Sequence, residues 1–237
     1  MAGIMHAKSP YEFRRVAAGV ETLDGVSRPR HHHSEGYATV VLAGTVTEVS
    51  FAGRMHAEPG HVLLHGRFDC HLDRWSRRRS LQILRLPWPH DAIEGQFYVT
   101  DPDALARLAE TDPDRASARL YEEVRRVAPR DRYWVDDLAD VLRSGANIPL
   151  QTWAEARSLR PDTLSYVFRR EFGVSPKRFR LEARTRSAWL EILRSPRSLT
   201  DVALQAGFAD LAHLSRSVRM LTGRSPRDWR SQRPVSR

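Results

Sequence analysis

Residues 150–176 of this chain recur at residues 199–226, and no other feature limits its fold as tightly. Leu150-Gln-Thr-Trp-Ala154 through Gly173-Val-Ser-Pro176 is echoed by Leu199-Thr-Asp-Val-Ala203 through Gly223-Arg-Ser-Pro226. Leu164 matches Leu214 and Ser165 matches Ser215, each pair 50 positions apart. In both copies an Ala is followed ten or eleven residues later by a Leu, with a short break between them. That is helix-turn-helix spacing: the small Ala lets two helices cross closely, and the Leu anchors the second helix on the first. One such pattern is common among helical hairpins. Two at a matching offset specify two recognition helices held in a fixed relation.

Charge is distributed in keeping with that reading. The 237 residues carry a formal net charge of +9. Residues 150–237 hold 18 Lys+Arg against 8 Asp+Glu, whereas residues 1–149 hold 20 against 21. The positive excess therefore lies wholly in the duplicated part, as expected of a surface that meets a polyanion. Charge alone leaves open a solvated basic face without a partner; the duplication favours double-stranded DNA. A 41% apolar content supports a real core, in one large or two ordinary domains. Cys70, the sole cysteine, excludes an internal disulfide and fits a reducing compartment. The start, Met1-Ala-Gly-Ile-Met-His, is too short and polar for a secretory signal. The longest largely apolar stretch, residues 37–46, falls well short of the ~20 residues that span a bilayer. A cytoplasmic protein without a membrane partner is expected.

The chain changes grammar along its length. From about Phe13 to Val99 it reads as β: Tyr37-Ala-Thr-Val-Val-Leu ends at Gly44, Thr45-Val-Thr-Glu-Val-Ser-Phe51 alternates up to Gly53, and Pro59-Gly60 precedes Val62-Leu-Leu64. Short strands punctuated by glycine suggest a small sandwich or barrel. Near residue 100, Thr-Asp-Pro-Asp occurs twice, at 100–103 and 111–114, each time opening a capped helix with Pro in its first turn. Leu120, Val124 and Val127 then mark one helical face, and Trp134, Leu138, Val141 and Leu142 another. Plain core is the favoured use of both stripes, with a dimer seam as the alternative. Ser144-Gly-Ala-Asn147 forms a linker. The expected organisation is α+β in two domains: a β domain at 1–99, a helical connection at 100–145, and an all-α double helix-turn-helix domain at 146–237. Pro176–Arg194 reads as one helix of ~18 residues, roughly 27 Å long. Such a spacer would set two reading heads about one turn of B-DNA, ~34 Å, apart.

In the first head, residues 150–157 support, Ser158-Leu159 turn, and Pro161–Phe172 read. Leu164 and Phe168 face inward onto Trp153 and Ala154, leaving Asp162, Ser165, Tyr166, Arg169 and Arg170 outward. In the second head, residues 199–206 support, Gly207-Phe208 turn, and residues 210–221 read, with Leu211, Ala212, Ser215, Arg216 and Arg219 outward. Residues near each helix N-terminus are expected at base edges and the later arginines at phosphates. Arg216 is the best candidate for a bidentate contact to guanine, its fork matching O6 and N7; phosphate contact is the alternative. Leu211 and Ala212 suit thymine methyl groups or a less selective head.

These residues resemble the AraC/XylS-type transcription regulators. The similarity runs through Val202-Ala-Leu-Gln-Ala-Gly-Phe208-Ala-Asp210-Leu-Ala-His213-Leu-Ser-Arg216-Ser-Val-Arg219 and Gly223-Arg-Ser-Pro226-Arg-Asp-Trp-Arg230. Trp153-Ala-Glu-Ala, Leu164-Ser-Tyr-Val-Phe-Arg-Arg170, Gly173-Val-Ser-Pro176 and Arg184-x-x-x-Ala188 look like the family's first head and linker helix. The resemblance covers roughly residues 135–231. It implies that Asp162, Ser165 and Tyr166 meet bases from the first head, and Leu211, Ala212 and Arg216 from the second. Arg160 stands where a helix-capping Ser is usual and Tyr166 where Arg is frequent, which bears on the target sequence. Leu214 and Val218 stand where Phe is common, which bears on packing.

The N-terminal part resembles the family's cupin-type sensor less closely. Arg30-His31-His32-His33, then Tyr37, Gly44, Pro59-Gly60 and His71 follow the order of the two cupin motifs. The carboxylate that metal-binding cupins place after His-x-His is absent, with Tyr37 near its position. By that resemblance His31, His33, Tyr37 and His71 line a small-molecule effector pocket; strand-capping use and a three-histidine zinc, iron or nickel site remain alternatives. No metal or cofactor is required by the favoured reading. His56, His61, His65 and His90 are expected at the surface or in loops. The function implied is a non-enzymatic, effector-responsive DNA-binding transcription regulator, an activator rather than a repressor by family precedent, with RNA polymerase as a partner and a homodimer left open. The rivals are a metal-dependent cupin enzyme with a basic tail, which needs the missing carboxylate, and an effector-independent architectural DNA binder.

Overall fold

The computed structural model describes residues 17–25, 27–76, 80–89, 93–127, 132–146 and 148–232. His90, Asn147 and Phe13, each used in the sequence reading, lie outside these residues. The architecture is α+β. Strands β1 (Gly19–Leu23), β2 (Ser27–His31), β3 (Tyr37–Ala43), β4 (Val46–Ser50), β5 (Gly53–Ala57), β6 (His61–His65), β7 (His71–Trp75), β8 (Leu81–Pro87) and β9 (Gly95–Tyr98) come first. Helices α1 (Pro102–Ala109) and α2 (Pro113–Glu123), strand β10 (Arg125–Arg126) and helix α3 (Trp134–Arg143) follow. The remainder is helical: α4 (Leu150–Glu155), α5 (Pro161–Phe172), α6 (Pro176–Arg194), α7 (Leu199–Gln205), α8 (Leu211–Thr222) and α9 (Pro226–Arg230).

The strands form two antiparallel sheets, ordered β1-β8-β3-β6-β9-β10 and β2-β7-β4-β5. Their inner faces share a core of Leu23, Val41, Val46, Met55, Ala57, Leu63, Leu81 and Ile83. Because side chains alternate along a strand, the neighbours Val40, Val62, Leu64 and Leu84 face the opposite way. There they pack with Leu105, Ala109, Ala116 and Leu120 of α1 and α2. β3 and β6 are thus covered on both faces, which is why they read as continuous apolar runs. Asp101 and Asp112 cap α1 and α2, accepting from Ala104 N and Arg115 N, with Pro at the first helical position of each.

The helical stripe assigned to Leu120, Val124 and Val127 breaks. α2 ends at Glu123, and Arg125–Arg126 pairs with β9 as the edge of the larger sheet. Val124 and Val127 are therefore on irregular or extended backbone. Leu120 is buried, as are Leu138 and Leu142 of α3, so the stripes serve as core.

The second sheet carries the helical part. Val49, Phe51 and Leu72 on its outer face, with Phe68 and Cys70 of the loop before β7, belong to one apolar cluster with Trp153, Leu164, Phe168, Phe172, Phe179, Trp189 and Trp229. Polar ties flank it. Arg54 grips Asp136 of α3 through Nε at 2.7 Å and Nη2 at 2.8 Å. Arg30 on β2 donates to Glu182 of α6 at 2.9 Å, both side chains almost fully buried. Arg186 of α6 donates to Arg67 O at 2.8 Å and pairs with Glu94.

Candidate nucleic-acid interface and histidine cluster

The two helix-turn-helix units are built alike. Trp153 and Ala154 of α4 receive Leu164 and Phe168 of α5; Val202 and Ala203 of α7 receive Leu214 and Val218 of α8, and all eight are buried. The turns close with Leu159 N donating to Ala154 O at 3.0 Å and Phe208 N to Ala203 O at 2.9 Å. Their equivalent turn positions, Ser158 at φ 54° and Gly207 at φ 74°, both lie in the left-handed region. Each recognition helix ends at a left-handed glycine, Gly173 at φ 74° and Gly223 at φ 75°, whose N–H reaches Arg169 O and Arg219 O respectively. Gly serves there because it bears no Cβ to clash. Arg160 at the first N-cap makes no side-chain cap hydrogen bond, whereas Asp210 accepts from His213 N at the second. α6 runs as one helix and packs against α5, α7, α8 and α9.

On α5, Asp162, Ser165, Tyr166, Arg169 and Arg170 are all exposed, Tyr166 at 68%. Arg170 also pairs with its neighbour Glu171 at 2.8 Å. On α8, Ala212, Arg216 and Arg219 are exposed, and Leu211 and Ser215 are half-buried. Every outward residue expected from the sequence thus lies on a solvent-facing or partly covered surface. The N-terminus of each recognition helix also presents backbone N–H groups suited to phosphate oxygens.

The histidines gather inside the β part. His31 and His71 are cross-strand partners on β2 and β7, with ring centroids 4.2 Å apart. His33 lies 5.1 Å from His31 and 5.6 Å from His71, centroid to centroid. Tyr37 OH bonds His71 Nε2 at 2.9 Å. His31 Nδ1 stands 2.9 Å from Pro29 O and His71 Nδ1 2.9 Å from Asp69 O. A carbonyl only accepts, so both rings carry their proton on Nδ1 and a lone pair on Nε2. Burial pushes the His31 pKa down to about 4 and that of His71 well below its usual range, with neighbouring His65 adding to the latter. Both rings are neutral imidazoles at neutral pH.

His61 and His65, expected at the surface or in loops, are instead buried on β6, while His56 is exposed. His65 Nε2 lies 3.2 Å from Glu48 Oε2 and Nδ1 3.3 Å from Asp69 Oδ2. Burial alone would lower its pKa, but the two carboxylates outweigh that and raise it to about 10. Asp73 is pushed up to about 7 by burial and by Glu48. Sequence reasoning missed Glu48, His65, Asp69 and Asp73. The available signal was strand alternation, which turns Glu48, His71 and Asp73 inward while Val49, Leu72 and Arg74 turn outward.

The donor set fits a metal ion in part. His31, His33 and His71 offer ligand nitrogens all within 4.8 Å of one another, and Glu48, His65 and His71 form a second such group. Two of the three imidazoles in the first group already point a lone pair from a fixed tautomer. Among the described residues no carboxylate groups with all three of these histidines, and Tyr37 OH hydrogen-bonds His71, a would-be ligand. The interior cavity lined by Tyr37, Thr39, Glu48, Asp73 and Arg85 measures about 20 Å³.

Comparison with known proteins bears on the helical part. Residues 153–232 match a family model described as a helix-turn-helix domain. The arabinose operon regulatory protein of Escherichia coli (strain K12) is 30% identical over 106 residues, which are 45% of this chain and 35% of that protein. The match therefore spans about a third of the relative's length. A probable AraC family transcriptional regulator from Rhodopseudomonas palustris CGA009 is similar over 43% of this chain and 98% of its own, at 23% identity and a TM-score of 0.40. ToxT from Vibrio cholerae is similar over 91% of this chain and 97% of its own, at 8% identity and a TM-score of 0.42. Among the described residues no helix is long and apolar enough to cross a membrane. Residues 153–232 of the chain are a helix-turn-helix domain, similar to the C-terminal part of the arabinose operon regulatory protein.

Proposed function

We propose that the chain is a sequence-specific DNA-binding transcription regulator whose β part senses an effector. One observation carries the reading: two equivalent recognition helices, α5 and α8, are mounted on one unbroken helix, α6, with Asp162, Ser165, Tyr166, Arg169 and Arg170 on one outward face and Ala212, Arg216 and Arg219 on the other. Residues 146–237 form the reading domain, residues 1–99 a cupin-like sensor and 100–145 the connection between them. Tyr166, Ser165 and Asp162 read bases from the first head, Arg216, Leu211, Ala212 and Ser215 from the second, and Arg169, Arg170 and Arg219 hold phosphates. An effector acts by binding two arrangements of the heads with different affinity. The family resemblance favours activation through RNA polymerase, in the cytoplasm, with a homodimer as the assembly.

Selection of bound fragments from random DNA, followed by affinity measurement across salt concentrations, tests this. A single enriched motif and a steep fall of affinity with salt, as counterions are displaced by several arginines, are expected. Unselective binding, or affinity indifferent to salt, would overturn the reading.

A further inference from the structure

The geometry points to a small-molecule site on the outside of the β sandwich, in the groove between α2 and the end of β8, which takes an amino acid or short peptide with an aromatic or apolar body and reports its presence to the reading domain through Arg67. Only that report rests on the regulator reading above. The groove encloses about 770 Å³, within the ~300–1,000 Å³ of small-molecule sites. Buried Trp88 forms its floor, flanked by Pro87 and Pro89. The indole is fixed, since its Nε1 donates to Ile93 O at 3.2 Å and Trp88 N donates to Gly36 O at 3.1 Å. Gly36 permits that approach, because an added Cβ would collide with Trp88 O. The facing wall is α2, on which Asp114, Ser117, Ala118 and Tyr121 stand at positions i, i+3, i+4 and i+7 and so share one side. The Tyr121 ring centroid is 5.8 Å from that of Trp88. Flat apolar walls of this kind suit an aromatic or branched body.

Charge fixes the class of ligand. Arg67 enters the groove from the loop between β6 and β7, and its Nε donates to Ser34 O at 3.1 Å. A guanidinium held in one plane is matched to a carboxylate. Asp114 is exposed on the opposite wall and Glu35 is exposed at the rim, so a second anionic group is repelled there and an ammonium accepted. A cation on one wall and a carboxylate on the other select a zwitterion. Arg67 is also the link to the helical part. Its guanidinium carbon lies 5.1 Å from the ring centroid of Trp189 on α6 and 5.0 Å from that of Trp229 on α9. Its carbonyl accepts from Arg186 Nε of α6 at 2.8 Å. A carboxylate that draws the guanidinium towards the groove weakens its hold on both indoles. Since α6 carries both recognition helices, occupancy favours one arrangement of the heads.

Isothermal titration of the full-length protein with the common amino acids and with apolar dipeptides tests the site. At least one aromatic or apolar member should bind more tightly than about 1 mM. Its deaminated and decarboxylated analogues should each bind more weakly by about 10-fold or more. Asp114→Asn should weaken the zwitterion but not the deaminated analogue. Ala118→Trp, which fills the groove from an exposed helical position, should abolish binding with circular dichroism unchanged. Affinity for a selected DNA fragment should change about 5-fold or more on ligand addition. Trp229→Leu, with circular dichroism unchanged, should keep the ligand but lose that change. No binding by any member, or binding retained by Ala118→Trp, overturns the site. A singly charged analogue that binds as tightly as its parent overturns the ligand class. Ligand bound with DNA affinity unaltered overturns the report to the reading domain, and a change that survives Trp229→Leu overturns its route. Absence of DNA binding with and without ligand overturns the regulator reading and the report with it, and the calorimetry, made without DNA, tells that failure apart.

Discussion

Arg30 and Glu182, 152 residues apart in the chain, meet at 2.9 Å with side chains 5% and 4% exposed. The pair joins the β part to the helix that carries both recognition helices. Removing one partner strands the other charge away from water, at ~3–5 kcal/mol for a buried pair. Glu182→Leu should therefore lower unfolding free energy in urea by about that amount, and Arg30→Met combined with Glu182→Leu by less. A double variant as unstable as the sum of its singles would show that the two side chains do not act as a pair.

Ser158 occupies a left-handed backbone position at which the second unit has Gly207. A non-glycine residue there costs on the order of 1 kcal/mol. Ser158→Gly should raise the melting temperature by a few degrees, and Gly207→Ala should lower it. An added Cβ at Gly207 would also lie 3.3 Å from Arg184 Nη1. Differential scanning calorimetry checks both, and a destabilised Ser158→Gly would contradict the account.

On DNA, Arg216→Ala should cost ~1–3 kcal/mol and blur preference at one base pair. Arg169→Ala should weaken all sequences alike and reduce the salt slope by about 1. Competition binding against single-base variants of the selected site separates the two. Uniform weakening from Arg216→Ala would reassign that residue to phosphate.

Asp136 is held below the usual carboxylate range: burial opposes this, but the Arg54 guanidinium and the Tyr133 N–H outweigh it. A carboxyl with a depressed folded value stabilises the protein above its unfolded value and loses that contribution as pH falls through the folded one. Mild acid should therefore loosen α3 from β5 before neutral or alkaline conditions do. Acid denaturation of Asp136→Asn should show a shallower dependence below about pH 4 than the parent; an identical profile would remove Asp136 from the acid response.

The duplicated heads were legible because their determinants are local. Pro161 and Pro176 open helices, Gly173 and Gly223 close them, and Ala154 with Leu164 sets a crossing within one hairpin. The same holds for Asp101 and Asp112, which cap their own helices. His65 was not legible. Its burial depends on Glu48 from β4 and Asp69 from the next loop, and no short-range pattern distinguishes a strand histidine facing solvent from one between two carboxylates. Val124 failed for a related reason: pairing of Arg125 with Tyr98 ends a helix that its periodicity would have continued.

What the order of amino acids dictated, then, is the pair of reading heads and the rod between them, since caps, turns and inward leucines act within a dozen residues. Folding in three dimensions decided where the β part sits. Arg30, Arg74 and Leu72 find α5 and α6 only when segments about a hundred or more positions apart are brought together, and desolvation at that junction sets which charges are paired and which histidines stay neutral.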